Sequence, residues 1–321
     1  MKALICGIGG QDGAYLARHL LDKGYEVWGT SRDAQLANFD NLRRLGIRER
    51  VTTVSMATND FRSVLQALTK SQPDEVYNLA GQTSVGLSFE QPTEALESIA
   101  TATINLLEVI RFLRAPVRFY QAGSSECFGD VGEVAANEAT HFEPRSPYAV
   151  AKSTAHWLVV NYRDAYGIYA CNGILFNHES ALRPPRFVTR KITQGAVRIA
   201  QGATDKLVLG DLGIRRDWGW SPEYVDAMWR MLQQGKPQDF VIATGVSSSL
   251  QDFVEAAFAE VGLDWKDHVA QDAQFFRPTE IRHSRGDASK AHKLLGWKAT
   301  MTMRDVARAM VRHELDAALP L

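Results

Sequence analysis

Cysteine is scarce in this chain of 321 residues: Cys6, Cys127 and Cys171 are odd in number and widely spaced. Two of them fall in strand-like segments, where a buried thiol behaves as a small hydrophobe, so no disulfide is expected. Cys127 adjoins a candidate catalytic run, which leaves a reactive thiol as the alternative to packing. The eight histidines are scattered without metal-ligand spacing, and no metal site is expected. No apolar run approaches bilayer-spanning length, and the N-terminus passes after one lysine into a glycine-rich loop rather than a signal peptide. A cytoplasmic protein with no membrane partner is the expectation. Charge of one sign is missing too: a formal net charge of −1, with no basic stripe interleaved with aromatics, argues against nucleic acid as a partner. Internal repeats and low-complexity linkers are absent as well.

What remains is a 45% hydrophobic sequence, ample for a large core. Its first half alternates strand-like runs with helical patterns. The strands are expected at 2–6, 26–30, 51–55, 75–80, 117–122 and 168–176, with helical spacing over 98–113 and 149–166. Such alternation predicts an α/β fold, a Rossmann-like doubly wound parallel sheet. Beyond residue 176 the pattern loosens after Pro184-Pro185, with a helix over 188–201, a strand over 206–210 and a final helix ending at Glu314. A first domain over 1–176 and a smaller C-terminal lobe over 177–321 are expected. Segments near 211–245 return to the first domain, through the apolar run Phe240 to Thr244.

The run Gly7 to Gly13 (GIGGQDG) directly follows the first strand and opens a helix carrying Tyr15, Leu16, Leu20 and Leu21. Gly7 permits the tight turn, Gly10 lets the backbone approach a pyrophosphate, and Gly13 allows close strand-to-helix packing, with the helix N-terminus aimed at the anion. Glycine spacing alone is weak, but the complete βαβ setting makes this a dinucleotide site. After the second strand comes Ser31-Arg32-Asp33. An arginine there accommodates a 2′-phosphate and an acid holds ribose hydroxyls. Arg32 points to NADP(H), with Asp33 keeping NAD(H) in view.

Tyr148 and Lys152, in SPYAVAK, are four residues apart, and one helical turn sets both on one face. A free tyrosine titrates near about 10, so a base working near neutrality needs a neighbouring cation, which Lys152 supplies. Ser124 and Glu126 lie in QAGSSECFG, after a strand-like stretch whose end faces a ligand crevice. A lone Tyr-x-x-x-Lys is common in ordinary helices; the dinucleotide loop upstream gives this one its meaning. The four together predict a redox active site.

With these motifs the chain resembles the extended short-chain dehydrogenase/reductases and, within them, the GDP-mannose 4,6-dehydratase family. The resemblance covers nearly the whole chain. It rests on GQDGAY at 10–15, PDEVYN at 73–78, RSPYAVAK at 145–152, ILFNHES at 174–180, FVTRK at 187–191, RDW at 216–218 and RPTE at 277–280. It implies that Tyr148 takes the proton of a sugar 4-hydroxyl while Lys152 holds the nicotinamide ribose. Ser124 would bond the 4-oxygen, and Glu126 would deprotonate C5 and assist loss of the 6-hydroxyl as water. It also implies Gln11, Asp12, His178 and Arg183 at a tightly held NADP, with Thr83, Asn177, Val188, Lys191, Arg216, Arg277 and Glu280 at a GDP-sugar. A diphosphate independently calls for cationic, forked donors such as these arginines.

The chain departs from the family pattern in places. Ser124 and Gly9 stand where threonines are usual, and Ser55-Met56 replaces an Asp-Leu pair near adenine, which bears on cofactor affinity. The 31–37 loop lacks the run that helps join dimers into tetramers, so a homodimer built from two long helices is expected, with a tetramer as the alternative. The run 181–186 (ALRPPR) leaves room for another nucleotide sugar. A 4-keto-sugar reductase would share Ser124, Tyr148 and Lys152 but has no need of Glu126. A non-catalytic dinucleotide sensor is the remaining reading.

Overall fold

The computed structural model describes residues 1–275 and 278–318, so Arg277 lies outside the described residues. Seven strands form one sheet: β1 (Lys2–Cys6), β2 (Glu26–Ser31), β3 (Thr52–Ser55), β4 (Glu75–Asn78), β5 (Arg118–Ala122), β6 (Ala170–Leu175) and Phe240–Ile242. Their order is Phe240–Ile242, β6, β5, β4, β1, β2, β3, and every pairing is parallel. This is the doubly wound sheet that the alternation predicted. Phe240–Ile242 is the edge strand on β6, with Val241 paired to Ile174.

Period-2 alternation decides which face each strand residue covers. Ala3 and Ile5 of β1 pack with Leu16, Leu20, Tyr224 and Met228, on helices Gln11–Asp22 and Ser221–Leu232. Leu4 and Cys6 pack on the other face with Val64, Leu68, Leu106 and Ile110. Both faces are covered, which is why β1 reads as a nearly continuous apolar run rather than an alternating one.

The strand order reverses between β1 and β4, and a crevice opens outside the carboxyl ends of strands at such a point. Gly7 turns there with φ +79°, and a Cβ on it would lie 3.0 Å from the Ala80 Cα in the loop after β4. Gly13 is tighter, since a Cβ would stand 2.5 Å from the Gly7 carbonyl oxygen. Gly10 is exposed, and a Cβ there would meet only that same oxygen at 3.4 Å.

The helical pattern expected over 98–113 is not one regular helix. Glu97–Thr101 forms a π-helical turn and Ala102–Leu113 continues as α-helix. That turn sets Ile99 against Tyr148, and Ser98 Oγ accepts from the Gln82 amide at 3.0 Å.

At Phe176 the chain leaves the large sheet. β7 (Asn177–Glu179) follows at once and joins a three-stranded sheet with Arg215–Trp220 and Ser247–Ser249. A two-stranded parallel pair, Leu207–Leu209 with Val269–Gln271, flanks it. Helices Val188–Ala200, Leu250–Glu260 and Met303–Ala318 enclose a second core around Ile192, Trp218, Phe253, Val306 and Met310. The three cysteines are buried and unbonded. Among the described residues no helix is long and apolar enough to cross a membrane, and no cluster of three candidate metal ligands occurs.

Candidate active site

A cleft of about 650 Å³ opens at the carboxyl ends of β5 and β6, between the large sheet and the second core. Helix Pro147–Tyr166 carries two of its groups. Ser146 caps the helix by accepting from the Ala149 amide at 3.1 Å, and Pro147 presets the first helical turn. Gly167, at φ +67°, ends it. Small residues at 149, 151 and 155 let the buried face approach the sheet closely, and Tyr148 and Lys152 share that face.

Lys152 Nζ donates to the Ala122 carbonyl at the end of β5, 2.8 Å away, and lies 5.8 Å from the Tyr148 ring centre. Burial pulls the amine down to about 8, against the pull of Cys127 and Asp12. Burial likewise pushes the Tyr148 phenol well above its ordinary value. The Ser124 hydroxyl donates towards it and lowers it, Glu126 and Cys127 raise it, and Arg183 lowers it in part. Lys152 is not among the groups that shift Tyr148 here, since its Nζ is turned to the Ala122 carbonyl.

Ser124 is the N-cap of a short 3₁₀ turn, Ser125–Phe128, and its oxygen accepts from the Glu126 amide at 3.2 Å. That turn places the half-buried Glu126 carboxylate in the same cleft as Tyr148, Lys152 and Ser124. Cys127 points away, with Sγ 3.9 Å from the Ala149 carbonyl, and burial raises its thiol to about 11. Packing, rather than reactivity, is its part.

Asp12 and His178 form the floor. His178 Nδ1 donates to the Phe176 carbonyl at 2.7 Å and Nε2 faces Asp12 Oδ2 at 2.9 Å, so both ring nitrogens carry protons. Burial opposes charge on the ring, but Asp12 and these bonds raise its pKa. Burial opposes the carboxylate too, and His178, Ser221 and Gln11 hold it well below the usual range. Gln11 is buried, bonding the His178 carbonyl at 3.1 Å and accepting from Ser180 Oγ at 2.8 Å. These bonds tie the glycine loop to β7. The helix after that loop begins at Gly10 with no side-chain cap, which leaves its first amides for an anion.

Thr83, Asn177, Val188, Arg183 and Arg216 also line this cleft, while Lys191 and Glu280 line a neighbouring cavity of about 370 Å³. Several of these groups are already engaged. Arg183 Nε is 3.0 Å from Glu179 Oε2, and its guanidinium lies 3.7 Å over Phe187. Arg216 donates to the Ile281 carbonyl at 2.6 Å and to Glu280 at 2.7 Å. Lys191 donates to the Val208 carbonyl at 2.7 Å. Gly7, Gly10, Gly13 and Arg32 stand apart from both cavities, at the sheet's switch point and beyond β2.

Two groups escaped the sequence reading. Asp217, beside Arg216, is fully buried and accepts from Thr244 N and Oγ1 and from Gly245 N at 2.7–2.9 Å, fixing the strand under the cleft. An acid between arginine and tryptophan in a short strand was the available signal. Arg186 lines both cavities, and only its position in an atypical run marked it.

A model of the family described as GDP-mannose 4,6 dehydratase matches residues 4–310. GDP-mannose 4,6 dehydratase 1 of Arabidopsis thaliana is 46% identical over 326 residues, covering 98% of this chain and 90% of that one. Among solved structures, DesIV, a dTDP-glucose 4,6-dehydratase from Streptomyces venezuelae with NAD and TYD bound, superposes with a TM-score of 0.88 at 20% identity, covering 98% and 97% of the two chains. RMD from Pseudomonas aeruginosa, complexed with NADPH, gives 0.81 at 23% identity over 99% of each. The two structures share the fold; the match over 4–310 and the near-full-length relative carry more, and this chain belongs to the GDP-mannose 4,6-dehydratase family.

Proposed function

We propose that this protein dehydrates GDP-mannose to its 4-keto-6-deoxy product by internal redox, with NADP held throughout the cycle. The observation that carries the reading is Glu126 in the cleft of Tyr148, Lys152 and Ser124. A carboxylate there serves C5 deprotonation and the departure of the 6-hydroxyl, two steps that a reductase does not perform. A bound nicotinamide would accept hydride from C4 and return it to C6. Tyr148 receives the 4-hydroxyl proton, Ser124 donates to the 4-oxygen as its charge changes, and Lys152 is placed to hold a ribose hydroxyl.

The residues fit such a cofactor. The exposed Gly9-Gly10 backbone and the uncapped helix start suit a pyrophosphate. Gly9 has room: a Cβ there would meet only Phe39 at 3.7 Å, so the usual threonine is not excluded by packing. Asp33 turns its carboxylate onto the amides of Gln35 and Leu36, at 2.9 and 3.1 Å, while Arg32 is exposed. An acid spent on its own loop beside an available arginine supports NADP over NAD. We assign Thr83, Asn177, Val188, Lys191, Arg216, Arg277 and Glu280 to the GDP-sugar, and Gln11, Asp12, His178 and Arg183 to the cofactor side. The cofactor unit is taken as 1–176 with returning segments near 211–245, and the rest as the substrate lobe.

A homodimer in the cytoplasm completes the proposal. Phe112, Trp157 and Tyr166, on helices Ala102–Leu113 and Pro147–Tyr166, are 66, 60 and 52% exposed, an apolar surface suited to a second copy. Three buried free thiols suit a reducing compartment. The test of function is mass spectrometry of purified protein with GDP-mannose, catalytic NADP⁺ and no reductant. Loss of about 18 mass units, the mass of one water, without net cofactor reduction is expected. No change, alongside NADPH-dependent turnover of a 4-keto sugar, would replace the dehydratase with the reductase.

A further inference from the structure

The two cavities are not independent. They share Arg186, Val188, Ile214 and Phe275, which therefore form the neck between them. A nucleotide sugar has two bulky ends joined by a diphosphate. With the hexose beside Tyr148 in the larger cavity and the nucleoside in the smaller, the diphosphate has to occupy the neck. Of the four shared residues, three are apolar and one is a cation.

The other cations are placed differently: Arg282 lines only the smaller cavity, and three more that line the cavities are engaged. Arg216 is bonded to Glu280 and to the Ile281 carbonyl, Lys191 to the Val208 carbonyl, and Arg183 is paired with Glu179. Each has part of its donor set already used. Arg186 is exposed, has no ion pair among the described residues, and makes one long hydrogen bond, Nη2 to Thr83 Oγ1 at 3.4 Å. Its guanidinium rests 5.3 Å from the Phe187 ring centre, on the side chain that also carries Arg183. Pro184 and Pro185 precede it and limit the backbone freedom of the segment that presents it. A planar fork in this state matches two phosphate oxygens at little cost in lost protein bonds.

We infer that Arg186 is the diphosphate clamp of this chain, gripping the bridge between nucleoside and hexose at the neck of the two cavities. The inference rests on the nucleotide-sugar reading above and adds a specificity residue to it. Thr83 also lines the larger cavity, so ligand entry exchanges one long bond to a neutral hydroxyl for bonds to a charged phosphate.

Calorimetric titration of wild type, Arg186→Gln and Arg186→Lys with GDP, GMP, UDP and UMP tests it. Wild type is expected to favour the diphosphate over the monophosphate. Arg186→Gln should lose at least tenfold in diphosphate affinity and at most threefold in monophosphate affinity, with Arg186→Lys between. The salt dependence of diphosphate binding should flatten in Arg186→Gln. Unchanged diphosphate affinity, or equal losses for both nucleotides, would overturn the inference. UDP binding more tightly than GDP would sink the guanine assignment instead, and Arg186 would then be judged on UDP against UMP in the same variants. Wild type binding no diphosphate would overturn both.

Discussion

Asp12 and His178, 166 residues apart in sequence, meet at 2.9 Å beneath the active cleft and tie the glycine loop of the large sheet to the first strand of the second. Breaking a buried pair by removing one partner costs about 3–5 kcal/mol, because the other charge is left desolvated. His178 is raised above 6.5, so its contribution is complete below that value and is lost as pH rises through the raised one. Asp12 is lowered below 3.8, so its contribution is complete above that value and is lost as pH falls towards the lowered one. The melting-temperature difference between wild type and His178→Gln should therefore be largest between about pH 4 and 6.5 and shrink on either side. A difference that stays flat from pH 4 to 9 would show that His178 acts by packing alone.

Lys152 gives a second pH prediction of opposite sense. Its amine is pulled by burial from 10.5 to about 8, so folding penalises the charged form. Replacing it with methionine should abolish dehydration and yet raise the melting temperature at pH 7. The gain should be full below about pH 8 and fade between about 8 and 10.5, where the folded lysine is already neutral. Thermal scans across that range decide it, and a variant less stable than wild type at pH 7 would assign Lys152 a net structural role through the Ala122 carbonyl.

On the proposed reading, cofactor choice turns on the exposed Arg32. Arg32→Ala should weaken NADPH at least tenfold and leave NADH within about twofold, the loss of one charge-assisted phosphate contact being worth roughly 1.5–3 kcal/mol. Fluorescence titration of both cofactors reads it. Equal losses would mean that Arg32 shapes the loop rather than choosing the phosphate.

The exposed aromatics of the two long helices should mark the dimer. Trp157→Glu places a charge on the exposed side of helix Pro147–Tyr166 and should convert a dimer into a monomer by light scattering, with little change in secondary structure. A wild-type monomer at micromolar concentration would remove the proposal.

Legibility followed range. Strands β1 to β6 could be read because each is a short run holding β-branched, aromatic or aliphatic residues between turn or helical segments, and the pair Tyr148–Lys152 because one helical turn spans it. The π turn at Glu97–Thr101 left no such mark: its residues keep helical periodicity, and only the packing of Ile99 on Tyr148 shows what it does. Arg216 and Glu280 were each read as ligand contacts, but their mutual bond across 64 residues is a tertiary fact that no spacing encodes. The direction of the Lys152 amine was out of reach for a related reason. Spacing placed Lys152 beside Tyr148, but the direction of its Nζ depends on the Ala122 carbonyl, supplied by a strand 30 residues upstream.

On the proposed reading Glu126 is the group that a dehydratase needs and a reductase does not, and its removal gives the sharpest prediction. Glu126→Gln keeps size and hydrogen bonding but cannot take the C5 proton. Turnover should fall by about 10²–10⁴, the usual weight of a positioned acid-base group. Tyr148, Ser124 and Lys152 are untouched, so sugar binding should hold within about threefold and the melting temperature within a few degrees. Exchange of the C5 hydrogen with deuterated solvent, followed by mass spectrometry of recovered GDP-sugar, should disappear in the variant. If Glu126→Gln dehydrates at the wild-type rate, another base serves C5, and the feature that places this cleft among dehydratases rather than reductases loses its force.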